Sequence, residues 1–308
     1  MTRYSFGTAL LLVAGLTGGL ALPASAQTAS LNPAITTDPA PDAAHPAAME
    51  SFQLPSHGAQ LNALMYIAAG AGPHPTVVLL HGFPGNEKNL DLAQVLRRAG
   101  WNVLYFDYRG SWGSPGDFSF THCIEDAQAA VAWLRDPANA AKYRVDPQTL
   151  VLVGHSMGGM IAIEVGAQDP GIKAVVGISA ADFSISSILH LPPGSRNVAA
   201  PHLAKSLAEE GMAPLAGTSP EALAREVLKN AAEWDFVSQA PRLTTRPVLL
   251  ITSNDGLRGV DEALVTAIQQ AGGKLVTTVH FDTDHAYSGQ RIAMESAVLN
   301  GLAPLSQR

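Results

Sequence analysis

A serine enclosed by glycines is the clearest sign of chemistry in this sequence. Ser156 lies in GHSMGG, residues 154–159, directly after an apolar run and directly before a helical pattern. A sharp turn here would bring the side chains flanking the serine into collision, and Gly154 and Gly158 relieve that crowding. The N–H of Met157, at the start of the helix, would stabilise negative charge beside the hydroxyl. The pattern predicts a nucleophile; the alternative is a turn that merely joins a strand to a helix.

A serine hydroxyl needs a general base before it can attack a carbonyl carbon. His285 lies in FDTDHA, residues 281–286, after the last predicted strand and before the last predicted helix. Loops that follow parallel strands open at the carboxyl edge of the sheet, where Ser156 is also expected. Among the ten histidines, His285 is therefore the candidate base.

A carboxylate must orient this histidine and stabilise its cation. Asp255 follows the penultimate predicted strand in the stretch TSNDG, whereas Asp182 follows an earlier strand and could reach the same histidine. Asp282 and Asp284 lie too close to the histidine in sequence to reach its far ring nitrogen. Both fit the order serine, acid, histidine along the chain; Asp255 is favoured, with Asp182 as its rival.

The elements that must position these residues alternate along the chain. Continuous apolar runs such as TVVLL at 76–80 are typical of strands buried on both faces, and helical patterns separate them. This alternation predicts an α/β fold whose mostly parallel sheet is covered by helices on both faces. Strands are predicted at 50–54, 60–68, 76–80, 103–106, 150–153, 174–178, 248–252 and 275–280, and helices at 90–99, 124–134, 157–167, 261–270 and 291–302.

One interval breaks the alternation. Residues 181–246 contain no buried-strand run, but they contain helix-like pieces at 202–210 and 220–234, separated by turns with Pro and Gly. An insertion of this size within a parallel sheet indicates a small helical cap. Helices that pack as ordinary crossovers on the sheet are the alternative.

The N-terminus has the pattern of a secretory signal peptide. Arg3 precedes an apolar stretch at 9–21, and an Ala-Ser-Ala motif ends at Ala26. The apolar stretch is short and interrupted by glycine, so no stable membrane insertion is expected after cleavage. We expect residues 1–26 to be removed and the protein to be secreted or periplasmic. Residues 27–48, rich in Ala, Pro, Thr and Asp, indicate a flexible segment before a globular domain at 49–308.

The composition excludes several classes of function. The chain has 308 residues, 47% of them hydrophobic, and a net charge of −7, so it can form a large core and gives no electrostatic reason to bind nucleic acid. Cys123 is the only cysteine, which rules out an intramolecular disulfide. No phosphate-binding loop and no zinc-ligand spacing occurs. We therefore expect no metal and no organic cofactor.

Four stretches together resemble the α/β-hydrolase family. They are HGFPG at 81–85, DYRGSWGS at 107–114, GHSMGG at 154–159 and DHAYSGQR at 284–291. The resemblance covers nearly everything after residue 49 and implies an α/β-hydrolase fold with a serine nucleophile. Within the family, these motifs are most similar to serine esterases and to the catalytic domains of prolyl-oligopeptidase-like enzymes.

The resemblance also assigns roles to residues outside the triad. It implies that the N–H of Phe83 joins that of Met157 in the oxyanion hole. It implies a structural role for His81, which would hold the loop that contains Phe83. Asp107 and Arg109 are structural on the same basis.

The sequence thus predicts an exported serine hydrolase that cleaves a carboxylic ester, or an amide, of a small acyl substrate. Ser156, Asp255 and His285 would be catalytic. A serine peptidase or aminopeptidase-like enzyme and an acyltransferase are alternatives that keep the acyl-enzyme. A catalytically silent binding protein on the same scaffold is the alternative without chemistry. The sequence does not indicate the natural substrate or the oligomeric state.

Overall fold

The computed structural model describes residues 32–183 and 193–305. The predicted signal peptide at 1–26, its cleavage point after Ala26, and residues 184–192 of the predicted insertion lie outside these ranges. Within them, eight strands form one sheet in the order β1-β2-β4-β3-β5-β6-β7-β8. The strands are β1 (Ala48–Ser56), β2 (Ala59–Ile67), β3 (His74–Leu80), β4 (Asn102–Phe106), β5 (Val145–His155), β6 (Ala174–Ile178), β7 (Val248–Thr252) and β8 (Val276–His280).

The sheet is parallel except at one end. The strands β1 and β2 form the predicted hairpin, and β2 also runs antiparallel to β4. The hairpin turns at His57 and Gly58, which both have positive φ, as a two-residue turn between antiparallel strands requires. From β4 to β8 every neighbouring pair is parallel, so the loops that follow these strands open at one edge.

Helices cover both faces of the sheet. They are α1 (Pro33–Thr36), α2 (Leu90–Arg98), α3 (Phe120–Arg135), α4 (Pro137–Tyr143), α5 (Met157–Gln168), α6 (Pro193–Glu209), α7 (Pro220–Asn230), α8 (Phe236–Gln239), α9 (Arg258–Gln270) and α10 (Arg291–Leu302). Successive strand residues point to opposite faces: Val77 and Leu79 belong to the core under α2 and α10, and Val78 and Leu80 to the core under α3, α5 and α9. The predicted mostly parallel, doubly covered sheet is confirmed.

The insertion between β6 and β7 packs on the loop that precedes α3. The Trp112 N–H donates a hydrogen bond to the Pro214 carbonyl at 2.9 Å. The Glu226 carboxylate of α7 accepts hydrogen bonds from the N–H of Phe120 at 3.0 Å and of Thr121 at 2.8 Å. These are the free N–H groups of the first turn of α3, so the insertion caps a helix of the main domain.

The described part of the N-terminal segment, residues 32–47, forms hydrogen bonds with the domain. Arg98 of α2 donates a hydrogen bond to the Ala34 carbonyl at 2.6 Å. Arg144 donates one to the Pro46 carbonyl at 3.1 Å. The acceptors are main-chain carbonyls, which amino-acid composition does not reveal.

Candidate active site

The backbone at Ser156 has the conformation of a sharp, strained turn. Its φ is 57° and its ψ is −120°, a region that residues with a side chain rarely occupy. The residue stands between the last residue of β5 and the first residue of α5. The main chain on both sides anchors it, since its N–H donates to the Ile178 carbonyl at 2.9 Å and its carbonyl accepts from the Ala181 N–H at 3.1 Å.

Two glycines make this turn sterically possible. A Cβ atom on Gly154 would lie 1.9 Å from the Gly158 carbonyl oxygen, and one on Gly158 would lie 2.1 Å from the Leu80 carbonyl oxygen. Both distances are far inside van der Waals contact, and both involve backbone atoms that cannot move aside. The crowding inferred from the sequence is therefore present in the structure: β5, α5 and β3 approach so closely that no Cβ atom fits at either glycine.

The candidate base and acid are hydrogen-bonded. His285 Nδ1 lies 2.8 Å from Asp255 Oδ2, and the Asp255 side chain is only 2% exposed. A carboxylate can only accept, so Nδ1 carries the proton and the lone pair of the His285 ring is on Nε2. This is the tautomer that a general base needs.

Main-chain hydrogen bonds between the loops after β7 and β8 bring the acid to the histidine. The Asn254 N–H donates to the Thr283 carbonyl at 3.0 Å, and the Phe281 N–H donates to the Thr252 carbonyl at 2.9 Å. Asp255 itself accepts a hydrogen bond from the Leu257 N–H at 3.0 Å, which fixes its side-chain direction. The two loops therefore act as one support for the pair.

Hydroxyl groups keep the Asp255 carboxylate ionised although it is buried. Burial by itself raises the pKa of this carboxyl, but hydrogen bonds from His285 and from the hydroxyls of Ser179 and Ser253 outweigh it and hold the pKa far below its usual range. The Ser179 hydroxyl is in turn 2.8 Å from the hydroxyl of the buried Tyr287. Sequence reasoning did not find these three hydroxyl groups, because each follows a different strand.

His155 is a further residue that the sequence analysis missed. It precedes Ser156 and is buried, and its Nε2–H donates a hydrogen bond to the His285 carbonyl at 2.9 Å. The two imidazole rings lie 4.6 Å apart between centroids. Burial and the charge of His285 lower the pKa of His155 to about 3, so the ring is neutral. His155 thus links the turn at Ser156 to the backbone of His285. Its position next to the serine in GHSMGG was the signal that could have identified it.

The HGFPG loop lies against Ser156. A Cβ atom on Gly82 would lie 3.0 Å from Ser156 Cβ, so the Gly82 backbone directly faces the serine, and Phe83 follows it. Met157 is the first residue of α5, and the first N–H groups of a helix have no partner within it. Both predicted oxyanion donors therefore belong to segments that border Ser156.

The side chain of His81 is buried beneath this loop. Its Nδ1 lies 2.8 Å from the Gly82 carbonyl oxygen, and its ring packs 4.5 Å from that of Tyr108. Burial lowers the pKa of His81 to about 4, which keeps it neutral. The Trp112 Nε1–H donates to the Pro84 carbonyl at 2.9 Å and holds the loop from its other side. These contacts fit the structural role expected of His81.

Asp107 and Arg109 form ion pairs with neighbouring side chains. Asp107 accepts a hydrogen bond from Lys88 Nζ at 2.8 Å. Arg109 Nε donates to the fully buried Asp126 at 2.7 Å. They connect the loop after β4 to neighbouring elements, as the resemblance implies.

The other acidic candidates have different surroundings. The Asp282 carboxylate accepts a hydrogen bond from the Asn254 amide, and the Asp284 carboxylate accepts one from the Ser288 N–H at 2.8 Å. The negative charge of Asp182 acts on the buried carboxyls of Glu164 and Asp261. The structure thus joins Asp255, and not its rival, to His285 by a hydrogen bond.

No group of three His, Cys, Asp or Glu side chains in residues 32–183 and 193–305 is arranged to hold a metal ion. Over the same ranges, no helix is both long enough and apolar enough to span a bilayer.

The thiol of Cys123 is buried, and burial raises its pKa well above the usual value, so it is not a candidate nucleophile.

Comparisons with known proteins agree with this geometry. The sequence profile of the alpha/beta hydrolase family matches residues 77–299, which include every candidate site residue. The chain belongs to the alpha/beta hydrolase family.

Individual relatives cover smaller parts of the chain. An uncharacterized protein of Mycobacterium tuberculosis is 29% identical over 136 residues, which are 44% of this chain and 47% of that protein. The sn-1-specific diacylglycerol lipase of Xenopus tropicalis is 34% identical over 103 residues, 33% of this chain and 30% of that protein. The chain thus spans less than half the length of these two curated relatives. A solved esterase of Pyrobaculum calidifontis has the same fold, with a TM-score of 0.60 and 22% identity over 86% of this chain and 85% of that one.

Proposed function

We propose that this protein is an exported serine hydrolase that cleaves a carboxylic ester through an acyl-enzyme on Ser156. The observation that supports it most directly is the contact chain around the nucleophile turn. Ser156 is held in a strained conformation, the adjacent His155 is bonded to the backbone of His285, and His285 is bonded to Asp255. The similarity to a diacylglycerol lipase favours an ester as the substrate.

In the proposed mechanism, His285 Nε2 accepts the Ser156 proton as the serine oxygen attacks the ester carbonyl carbon. The N–H groups of Phe83 and Met157 donate hydrogen bonds to the resulting oxyanion. His285 then gives its proton to the leaving alcohol, and the C–O bond breaks to form the acyl-enzyme. A water molecule, deprotonated by His285, then attacks this acyl group; the bond between the Ser156 oxygen and the acyl carbon breaks, His285 returns the proton to the serine oxygen, and the acid is released. Asp255 stays ionised throughout and stabilises the imidazolium.

The experiment that tests the proposal compares the wild type with Ser156→Ala. We expect the variant to lose p-nitrophenyl acetate hydrolysis by at least about 10³-fold, with an unchanged far-UV circular dichroism spectrum. A fluorophosphonate probe should label the wild type and not the variant. Retained hydrolysis in Ser156→Ala would rule out the acyl-enzyme, and an unlabelled, inactive wild type would favour the silent binding protein.

The same expression cultures test export. The full chain, produced in a bacterial host, should be recovered from the periplasm or the medium. Its intact mass should be that of a chain that begins at Gln27. Recovery only from the cytoplasm, with residues 1–26 retained, would contradict the export part of the proposal. It would leave the hydrolase part untouched.

A further inference from the structure

Aromatic residues follow the two strands that flank the strand leading to Ser156. Phe83 follows β3 and Phe183 follows β6, and these strands are the two neighbours of β5 in the sheet. Both residues pack on the core under α3 and α5, whereas Tyr287, two residues from His285, belongs to the core on the opposite face. The phenylalanines that follow the flanking strands and the tyrosine near His285 thus belong to cores on opposite faces of the sheet.

The two flanking rings converge on one buried ring. The centroid of Phe120, at the start of α3, lies 5.8 Å from that of Phe83 and 4.6 Å from that of Phe183. Trp234, from the insertion, meets the same Phe120 ring edge-on, with centroids 6.3 Å apart and planes at 87°. Phe120 and Trp234 are fully or almost fully buried, but Phe83 and Phe183 are only half-buried.

The two half-buried phenylalanines belong to backbone segments that contact Ser156. Phe83 follows Gly82, whose backbone faces Ser156. Phe183 lies two residues after Ala181, which donates a hydrogen bond to the Ser156 carbonyl. Both phenylalanines thus belong to segments that border the serine, where the acyl part of an ester must lie during attack.

From these contacts, and resting on the proposed ester hydrolysis, we propose that the acyl group of the preferred substrate carries an aromatic ring, as in an arylacetyl ester. Phe120 and Phe183 meet edge to face, at 66°, the arrangement that the quadrupoles of aromatic rings favour. A substrate ring between Phe83 and Phe183 continues this packing.

The test compares p-nitrophenyl phenylacetate with p-nitrophenyl cyclohexylacetate, whose acyl groups have the same carbon skeleton and differ in aromaticity. Each kcat/KM is divided by the hydroxide-catalysed rate constant of the same ester, which removes intrinsic reactivity. We expect the wild type to prefer the phenylacetyl ester by about 2- to 10-fold, the range that aromatic pairing supplies beyond burial of apolar area. A ratio of one in the wild type would overturn the proposal.

Variants at Phe183 locate the effect. Phe183→Leu should reduce the phenylacetyl preference to near one, and Phe183→Tyr, which keeps the ring, should retain it. The matched control is Phe52→Leu: Phe52 stacks on Trp133 at 4.7 Å, and Trp133 lies about 20 Å from Phe120 along α3. This control should keep the wild-type ratio. An unchanged ratio in Phe183→Leu, or an equal loss in Phe52→Leu, would overturn the aromatic acyl site.

The outcome is separable from that of the proposed function. If p-nitrophenyl acetate is hydrolysed in a Ser156-dependent way but the phenylacetyl ester is not preferred, only the aromatic acyl site fails. If no nitrophenyl ester is hydrolysed by the wild type, ester hydrolysis itself fails.

Discussion

At the scale of single residues, strain and charge are concentrated at the nucleophile turn. Holding Ser156 at positive φ costs on the order of 1–3 kcal/mol, and the hydrogen bonds from its N–H to the Ile178 carbonyl and from the Ala181 N–H to its carbonyl maintain it. Asp255 is kept ionised in a buried position by the groups that donate to it. His285 is thereby fixed in one tautomer, with Nε2 available as a base.

At the residue scale, we predict what happens when the candidate acid, Asp255, loses its charge. Asp255→Asn replaces the carboxylate with an amide, which can leave the histidine in the wrong tautomer and cannot stabilise its cation. We expect kcat for p-nitrophenyl acetate to fall by about 10⁴-fold. The matched substitution Asp182→Asn should keep kcat within about 10-fold of the wild type. A loss confined to Asp182→Asn would instead make Asp182 the catalytic acid.

The types and order of the triad residues could be predicted from the sequence, but the choice of acid required the structure. The motif around Ser156 is local, so its glycines and its neighbours are visible in one stretch. Asp255 and Asp182 both follow parallel strands and open at the same edge. Only the hydrogen bonds that join the loops after β7 and β8 decide which of them reaches His285.

At the scale of elements, the close approach of β3, β5 and α5 positions Ser156. The strand β3 pairs with β5 along its length, and Leu80 lies opposite Gly154. The helix α5 then starts directly above the Leu80 carbonyl. The serine turn is therefore built by three elements and not by its own sequence alone.

At the element scale, a single added methyl group tests the close approach of α5 to β3. In Gly158→Ala the new Cβ would lie 2.1 Å from the Leu80 carbonyl oxygen, so we expect the free energy of unfolding to fall by about 1–3 kcal/mol or more. The control Gly259→Ala makes the same change in α9, where nothing lies within 4 Å of the added atom, and its effect should be within about 1 kcal/mol. Urea denaturation measures both. Equal stabilities of the two variants would contradict the contact.

Helix ends were less predictable than helix positions. The helix α3 begins at Phe120, four residues before the predicted start, because the Ser119 hydroxyl and the distant Glu226 carboxylate satisfy its first N–H groups. The predicted helix was expected to stop before Pro137, but a separate short helix, α4, begins there. The Asp136 side chain caps its start. Caps that come from other elements are not visible in a local pattern.

At the scale of the whole molecule, the core on the α5 side contains carboxyl groups that folding keeps protonated. Glu164 of α5 is completely buried. Burial, reinforced by the charges of Glu233 and Asp182, raises its pKa to about 8. Asp261 of α9 is also completely buried, and burial raises its pKa well above the usual value. These groups couple the stability of the domain to pH.

The whole-molecule prediction follows from the sign of this coupling. Between pH about 4.5 and about 8 the folded state holds a proton on Glu164 that the unfolded chain has released, so stability falls as pH rises, by up to about 1.4 kcal/mol per pH unit for this group. Glu164→Gln removes that proton linkage. We expect its free energy of unfolding to fall less between pH 5 and pH 8 than that of the wild type.

Urea denaturation at several pH values measures the difference. The control Glu209→Gln makes the same substitution at a side chain that is 67% exposed, and it should keep the wild-type pH profile. Identical profiles for Glu164→Gln and the wild type would contradict the raised pKa.

The sequence by itself determined the alternation of strands and helices, the sharp turn at Ser156 and the place of His285 after the last strand. Each of these depends on residues that are neighbours along the chain, where periodicity and glycine spacing are legible. Only the tertiary structure decided that Asp255 reaches His285, that His155 bonds to a carbonyl 130 residues away, and that Phe83 and Phe183 both pack against Phe120. These contacts join side chains from separate loops, and their geometry is set by how the strands pair and the helices pack.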